Sequence, residues 1–472
     1  MTVPDWVQDA VFYQIFPDRF ANGDTKNDPV NVKPWDSSPT NNGFQGGDLQ
    51  GILKHLDYLR DLGINAIYLN PIFLSPSTHR YNTTDYFKID PRLGNEQDFH
   101  SLLKAIHRNS MHIILDGVFN HCGRGFFAFS DLLENQDQSP YKDWYHVKRF
   151  PINAYGAGDA TDYLSWWNHK SLPKFNTSNP SVRKYLMSIA RYWLEQGIDG
   201  WRLDVPNEID DDSFWAEFRS LVKGINPDAY LLGEIWDVQP RWVGEDHFDG
   251  LMDYPFRTAT LDLLNQEIRV SEFTSRINHL LNAYSRENVF SQYLLLGSHD
   301  TERLFTILGG KINKVKTGLL LQFSYPGAPA IYYGDEIGIE GGKDPDCRRA
   351  FPWDETLWNN ELRIWLQKLI SIRKEKEALR RGALIPLMAD NAKSGFAFAR
   401  TSNGEKIITL INVSQVENNY SVPVDLLNIE EGRIFAHLTS PGESVVENGA
   451  IKISLPPFSG IIMNQIQKEE KL

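Results

Sequence analysis

Residues 197–208 read GIDGWRLDVPNE, and the construction of that run decides the fold. It begins like a buried strand, Gly-Ile-Asp-Gly-Trp, and then places Arg202 and Asp204 two positions apart. Alternate residues of a strand share a face, so two opposite charges leave an apolar segment in the same direction. Burying a charge pair seldom raises stability, which implies a chemical reason for it. Seven further short apolar runs are built alike, namely AVFYQIF (10–16), INAIYLNPI (64–72), HIILDGVFNH (112–121), AYLLGEIW (229–236), FDGLMDYPF (248–256), QYLLLGSHD (292–300) and APAIYYGDE (328–336). Most are separated by stretches with apolar residues three and four apart, such as LQGILKHLDYLRDLG (49–63), SVRKYLMSIARYWLEQG (181–197) and LRIWLQKLISIRKEKEAL (362–379), which is helical spacing. Strand and helix in alternation imply parallel strands. Eight such units predict a closed (β/α)8 TIM barrel rather than an open doubly wound sheet.

Two segments break the rhythm. Residues 122–177 are rich in Trp, Tyr, Asn and Gly and contain GDATDYLSWWNHKSLPKFN. A loop of that length without structure is unusual, so a small inserted domain is expected there. Beyond Gly382 short β-type runs alternate with turn residues (GFAFAR, KIITLINV, NYSVPV, IKISL), which predicts an antiparallel β-sandwich over 383–472. The barrel then comprises 1–121 and 178–382.

The net charge of −13 over 472 residues argues against a nucleic-acid partner. Neither a secretory leader nor a membrane-spanning run is visible. The two cysteines, Cys122 and Cys347, form no disulfide framework and suit a reducing compartment. A cytoplasmic location is the expectation.

A barrel of this kind carries its active site at the C-terminal ends of its strands. Those ends hold Asp116, Asn120 and His121 on the third strand, Arg202 and Asp204 on the fourth, Glu234 on the fifth, and His299 and Asp300 on the seventh. One such residue alone would be an ordinary loop polar group; together at one mouth they imply chemistry. A guanidinium beside Asp204 is expected to keep it ionised and oriented as a nucleophile. Glu234, among apolar neighbours in LLGEIW, is expected to stay protonated as a general acid. Two carboxyls in opposite protonation states suit glycoside hydrolysis.

DGVFNH (116–121), GWRLDVPNE (200–208), LLGEIW (231–236) and LLGSHD (295–300) resemble, in order, the four sequence blocks of the α-amylase family of glycoside hydrolases. The resemblance implies a retaining double displacement. Asp204 stands where the nucleophile is expected, Glu234 where the acid/base is, and Asp300 where a third acid holds sugar hydroxyls. It further implies that His121 and His299 bind the sugar in the cleavage subsite, that Asp116 supports Arg202, and that Tyr81, with His79 beside it, stacks on the same sugar. Within the family the chain is most similar to neopullulanases, cyclomaltodextrinases and maltogenic amylases, through DVPNEID (204–210), LPKFN (172–176), FQGGDL (44–49) and YYGDEIGIEGGKDPDCR (332–348). That implies cleavage of α-1,4 links, and some α-1,6 links, in cyclodextrins, pullulan, starch and maltooligosaccharides, with glycosyl transfer. Asn207 and Glu208 fall where that group shapes the first leaving-side subsite. The group usually has Ala where Pro206 stands. It commonly carries an extra N-terminal β domain, for which the first barrel strand here leaves no room. A more open cleft follows as an expectation, and monomer and homodimer both stay open.

ANGDTKNDP (21–29) offers hard oxygen donors in Asn22, Asp24, Asn27 and Asp28, which suits Ca²⁺ although the spacing is not that of an EF-hand. The resemblance adds Gly46 and Asp48 to a structural Ca²⁺ site, with no organic cofactor. A glucanotransferase or an α-glucosidase of the same family differs only in subsite shape. A non-catalytic binding or scaffold relative would be expected to lose catalytic acids, and this chain keeps them.

Overall fold

The computed structural model describes residues 3–466. All eight runs contain a parallel strand: β1 Phe12–Ile15, β2 Ala66–Leu69, β3 His112–Gly117, β4 Gly200–Leu203, β5 Tyr230–Gly233, β6 Gly250–Leu251, β7 Tyr293–Leu295 and β8 Ala328–Tyr332. They pair in the order β6-β5-β4-β3-β2-β1-β8-β7. A bridge between Met252 and Tyr293 joins the two ends, with the Asp253 N–H donating to the Tyr293 carbonyl at 2.9 Å. The barrel is therefore closed, as the alternation predicts.

Inward-facing side chains fill it: Phe12, Tyr68, Ile114, Tyr230, Leu232, Met252, Tyr293 and Leu295 form one buried cluster, with Trp6 packed against it. A larger shell joins the outer strand faces to the surrounding helices. Two helices predicted as continuous are interrupted. Residues 49–63 break at His55 into Leu49–Lys54 and Leu56–Leu62, and 362–379 breaks at Lys376. Gly200 opens β4 where any side chain would collide, since a Cβ there would overlap the Tyr230 backbone.

Between β3 and the helix Pro180–Gln196 the chain makes its long excursion. It holds one α-helix, Phe127–Asn135, three single-turn 3-10 helices, and short bridges pairing His121 with Lys174, Tyr145 with Phe175, Val147 with Tyr163 and Ser165 with Pro173. The C-terminal part is antiparallel: β9 Ala383–Asp390, β10 Gly395–Ser402, β11 Glu405–Asn412, β12 Asn418–Pro423, β13 Ile434–His437, β14 Glu443–Glu447, β15 Ala450–Leu455 and β16 Ser459–Gln465. Their order is β9-β10-β11-β16-β13-β14-β15-β12, and Ala399, Leu410, Val422 and Ile451 share a second core. Among the described residues no helix is long and apolar enough to cross a membrane.

Candidate active site

Register brings the charges together. Asp116 on β3 lies directly across from Arg202 on β4, so both point into the same end of the barrel. The Arg202 guanidinium is fully buried. Its Nη1 donates to Asp116 Oδ1 at 2.8 Å and to Asp204 Oδ1 at 3.0 Å, and its Nη2 lies 2.9 Å from Glu234 Oε2. One cation thus serves three carboxyls. Sequence reasoning placed Glu234 among apolar neighbours and missed this contact, because it runs through space between adjacent strands.

The shared cation changes the expected charge states. Burial pushes Asp204 well above the usual carboxylate range; Arg202 pulls it down, and Glu234, Asp116 and Asp300 push it up again. The guanidinium alone therefore does not fix that carboxyl as an anion. Burial also raises Glu234, against Arg202, to about 7. Asp116 is raised by burial too, opposed by Arg202 and by hydrogen bonds from Tyr68 and Tyr81. Several buried acids around one cation must hold protons among them. Of the three acids expected to act, Asp300 is the most open, with 29 % of its side chain exposed against 9 % for Asp204 and 6 % for Glu234, so it is best placed to meet sugar hydroxyls.

Val205, just after Asp204, adopts a left-handed backbone (φ 36, ψ 52), which is costly for a β-branched residue. That turn aims its N–H at Glu234 Oε2, 3.0 Å away. The other oxygen of Glu234 accepts from the Trp236 indole at 3.3 Å.

A second chain of contacts orders the far wall. Gln14 Nε2 donates to His299 Nδ1 at 2.8 Å and to Asn70 Oδ1 at 3.0 Å. His299 Nε2 therefore carries the proton and faces both the Tyr81 hydroxyl at 2.5 Å and Asp300 Oδ2 at 3.1 Å. Tyr81 donates onward to Asp116 Oδ2 at 2.8 Å, where Tyr68 also donates at 2.6 Å. Burial, then Arg348 and Arg202, lower His299 well below the usual imidazole range, so it is neutral. The Tyr81 ring lies parallel to the His299 ring, and His79 Nδ1 accepts from the Tyr81 N–H at 3.1 Å. His121 is buried and neutral, with its Nε2 lacking a hydrogen-bond partner among the described residues. Asn207 is exposed in the turn Pro206–Glu208, while Glu208 pairs with Lys174 of the excursion at 3.2 Å.

Gln14, Tyr68, Asn70, Trp236 and Arg348, the last 3.3 Å from Asp300, were not singled out from the sequence. The signal for three of them was present: polar or hydroxyl-bearing residues in AVFYQIF and INAIYLNPI that strand alternation turns inward.

Away from this mouth, Asp48 organises the loop at 21–29. Its Oδ1 accepts from the N–H groups of Gly23 (2.9 Å) and Gly51 (2.6 Å), and its Oδ2 from Asp24 N–H (2.8 Å) and Asn27 Nδ2 (2.9 Å). Asn22 Nδ2 donates to Asp28 Oδ1 at 2.9 Å. The remaining amide oxygens, Asn22 Oδ1 and Asn27 Oδ1, are buried without partners among the described residues. Gly46 abuts the Asn22–Asp28 pair, and a Cβ there would overlap Asp28 Oδ1 and Asn22 Nδ2. Burial raises Asp28, helped by Asp48 and Asp24 and opposed by the Asn22 hydrogen bond. Among the described residues no cluster of three His, Cys, Asp or Glu forms a metal site; amide and backbone oxygens would have to complete one here. Orphaned oxygens beside a crowded carboxylate fit a hard cation.

Buried carboxyls gathered around one guanidinium at the C-terminal mouth of a closed (β/α)8 barrel are the equipment of a glycoside hydrolase. The chain belongs to the α-amylase family: the model of the alpha amylase catalytic domain matches residues 14–400. It is 44% identical over 462 residues to a cyclomaltodextrinase of Geobacillus thermopakistaniensis, covering 97% of this chain and 77% of that protein. It is 41% identical to neopullulanase 2 of Thermoactinomyces vulgaris, covering 98% and 78%. The cyclic α-maltosyl-(1→6)-maltose hydrolase of Arthrobacter globiformis, in complex with that sugar, superposes with a TM-score of 0.90 at 38% identity, covering 98% of this chain and 100% of that one.

Proposed function

We propose that the protein is a retaining hydrolase that cleaves α-1,4-glucosidic bonds, and some α-1,6 bonds, in cyclodextrins, pullulan, starch and maltooligosaccharides, with transfer of glycosyl units to sugar acceptors. The observation that carries this reading is the contact of one guanidinium with both Asp204 and Glu234. The shared cation brings both carboxyls to one subsite, the pair that glycoside hydrolysis uses, and membership of the α-amylase family supports the retaining course.

In this reading the protons shared among the buried acids sit on Asp204's neighbours when substrate is bound, and Asp204 attacks the anomeric carbon as the carboxylate. Its Oδ1 is held by Arg202, and its Oδ2 has no hydrogen-bond partner among the described residues. The bond to the leaving sugar breaks as Glu234, protonated below about pH 7, gives its proton to the glycosidic oxygen. Glu234, now an anion, then takes a proton from water, or from a sugar hydroxyl in transfer, as that oxygen bonds to the anomeric carbon and the bond from that carbon to Asp204 breaks, returning Asp204 as the carboxylate. Asp300, His121 Nε2 and His299 Nε2 hold the hydroxyls of the reacting ring, and Tyr81 with His79 bounds its face.

The loop at 21–29 completes the proposal. A structural Ca²⁺ would be held by Asn22, Asn27, Asp24 and Asp28, with the Gly46 carbonyl and Asp48 closing the set, and would tie the first βα loop without entering the chemistry. Two buried, unpaired cysteines support a reducing, cytoplasmic setting.

The deciding experiment follows β-cyclodextrin, pullulan and soluble starch with wild type and Asp204→Asn, and reads the anomer of the first products by NMR. α-Anomers from wild type and none from the variant are expected. β-Anomers, or digestion that survives in Asp204→Asn, would overturn the assignment.

A further inference from the structure

The long excursion carries aromatic side chains that the chemistry above does not use. The indoles of Trp166 and Trp167 lie face to face, centroids 4.7 Å apart and planes 7° apart. Trp166 in turn stacks on the His121 imidazole at 5.7 Å and 25°. A ladder of three flat rings thus climbs from the reacting subsite to the surface, where Trp167 is 73 % exposed.

Its outer rung is displayed at a cost. Trp167 has a left-handed backbone (φ 47, ψ 33) and Asn168 after it another (φ 62). Bulky residues rarely adopt that conformation unless something requires it, and such outliers gather at ligand clamps. The wall is also short of hydrogen bonds. His121 Nε2, Trp166 Nε1 and Ser165 Oγ are all shielded from solvent without a partner among the described residues, although natural structures leave few such groups unmet. Flat apolar faces rimmed by waiting polar groups suit a pyranose, which offers C–H groups on its faces and hydroxyls around its edge.

The ladder's position selects its end of the substrate. Glu234 protonates the leaving oxygen in the reading above, so the leaving sugar lies on its side. The Val205–Glu208 turn adjoins Glu234 through the Val205 N–H. Lys174 reaches the Glu208 carbonyl at 2.5 Å and its carboxylate at 3.2 Å. Pro173, beside Lys174, is bridged to Ser165. The wall bearing the indoles is therefore continuous with the leaving side.

We propose that Trp166 and Trp167 form a platform that holds glucose units of an α-1,4-glucan beyond the leaving-side subsite, making the protein selective for longer chains. This rests on the glycosidase reading. The test measures kcat and KM on maltotriose through maltoheptaose, and the cleavage position in reducing-end-labelled maltohexaose, for wild type and Trp167→Ala, Trp167→Phe and Trp167→Leu. In Trp167→Ala the rise in KM should grow with chain length to about tenfold at maltoheptaose, the factor given by ~1.4 kcal/mol of lost stacking. Cleavage should shift toward shorter reducing-end fragments. Trp167→Phe should keep most of the selectivity, and Trp167→Leu should behave like Trp167→Ala. An equal loss at every chain length, unchanged cleavage positions, or Leu serving as well as Phe would overturn the platform. A wild type inert on every maltooligosaccharide would remove the glycosidase reading itself, which separates the two failures.

Discussion

Arg202 stands between Asp204 and Glu234, 3.0 Å from the first and 2.9 Å from the second. Both acids feel the same cation, yet burial outweighs it for each, and Glu234 reaches about 7. A general acid must carry its proton, so kcat/KM should fall as pH rises through about 7. Glu234→Gln should abolish that alkaline limb and lower kcat on unactivated glucans by roughly 10²–10⁴-fold. The pH profile on β-cyclodextrin checks both. A limb that persists in the variant would assign it to another group.

Removing the nucleophile should act differently. Asp204→Asn keeps a side chain of the same shape beside Arg202, which retains Asp116 and Glu234 as partners. The fold should survive with a melting temperature near wild type, while turnover drops on the order of 10⁴-fold, the scale of losing one member of a catalytic set. In Asp204→Gly, added azide should restore turnover and yield a β-glycosyl azide, because the small anion attacks from the vacated face. Rescue with an α-linked product would place the attacking group elsewhere.

Most of the fold was legible because barrel strands announce themselves locally: each of the eight apolar runs contains its strand, even β6, which is only two residues long. Periodicity could not show the break at His55, since apolar spacing continues across it. At the site, Asp204, Glu234 and Asp300 stood out as charges at strand ends. Gln14 and Asn70 did not, because a single amide in an apolar run looks like any tolerated core residue until the barrel closes around it. The charge states needed three-dimensional contacts. Asp116, Asp204 and Glu234 come from three different strands, and only their convergence on one guanidinium sets the proton balance.

The histidines should make the protein sensitive to acid. His121 is lowered by burial, then by His79, to about 3. A depressed folded-state value means that its contribution is complete above the unfolded value near 6.5. It then declines as pH falls, and is gone near 3. Raised acids such as Asp253, pushed by burial to about 7, act with the opposite sign, since their contribution is lost as pH rises through that value. A single curve therefore mixes both, and a difference isolates one. The stability of wild type minus His121→Gln, from urea midpoints, should shrink by up to about 1.4 kcal/mol per pH unit between pH 6 and 4. A difference independent of pH would mean that His121 is protonated in the fold.

The loop at 21–29 joins a clamp to a cation site. Asp48 caps the helix Leu49–Lys54 and accepts four N–H donors, so without metal Asp48→Ala should destabilise the protein by about 1–2 kcal/mol from the lost cap alone, and with Ca²⁺ by more, because Asp48 also closes the proposed set. Asn22 Oδ1 and Asn27 Oδ1 are different, because nothing among the described residues satisfies them. Calcium bound there stabilises only the folded state, so millimolar Ca²⁺ should raise the melting temperature by several degrees and a chelator should reverse it. Mg²⁺, which demands near-ideal octahedral geometry, should do less. In Asn22→Ala combined with Asn27→Ala the response should vanish while kcat on β-cyclodextrin, measured without metal, stays within about twofold, because the loop touches no reacting group. Calorimetry with Ca²⁺, Mg²⁺ and chelator on wild type and the double variant decides it. A wild type indifferent to all three would remove the cation site and leave the loop to Asp48 and the Asn22–Asp28 hydrogen bond.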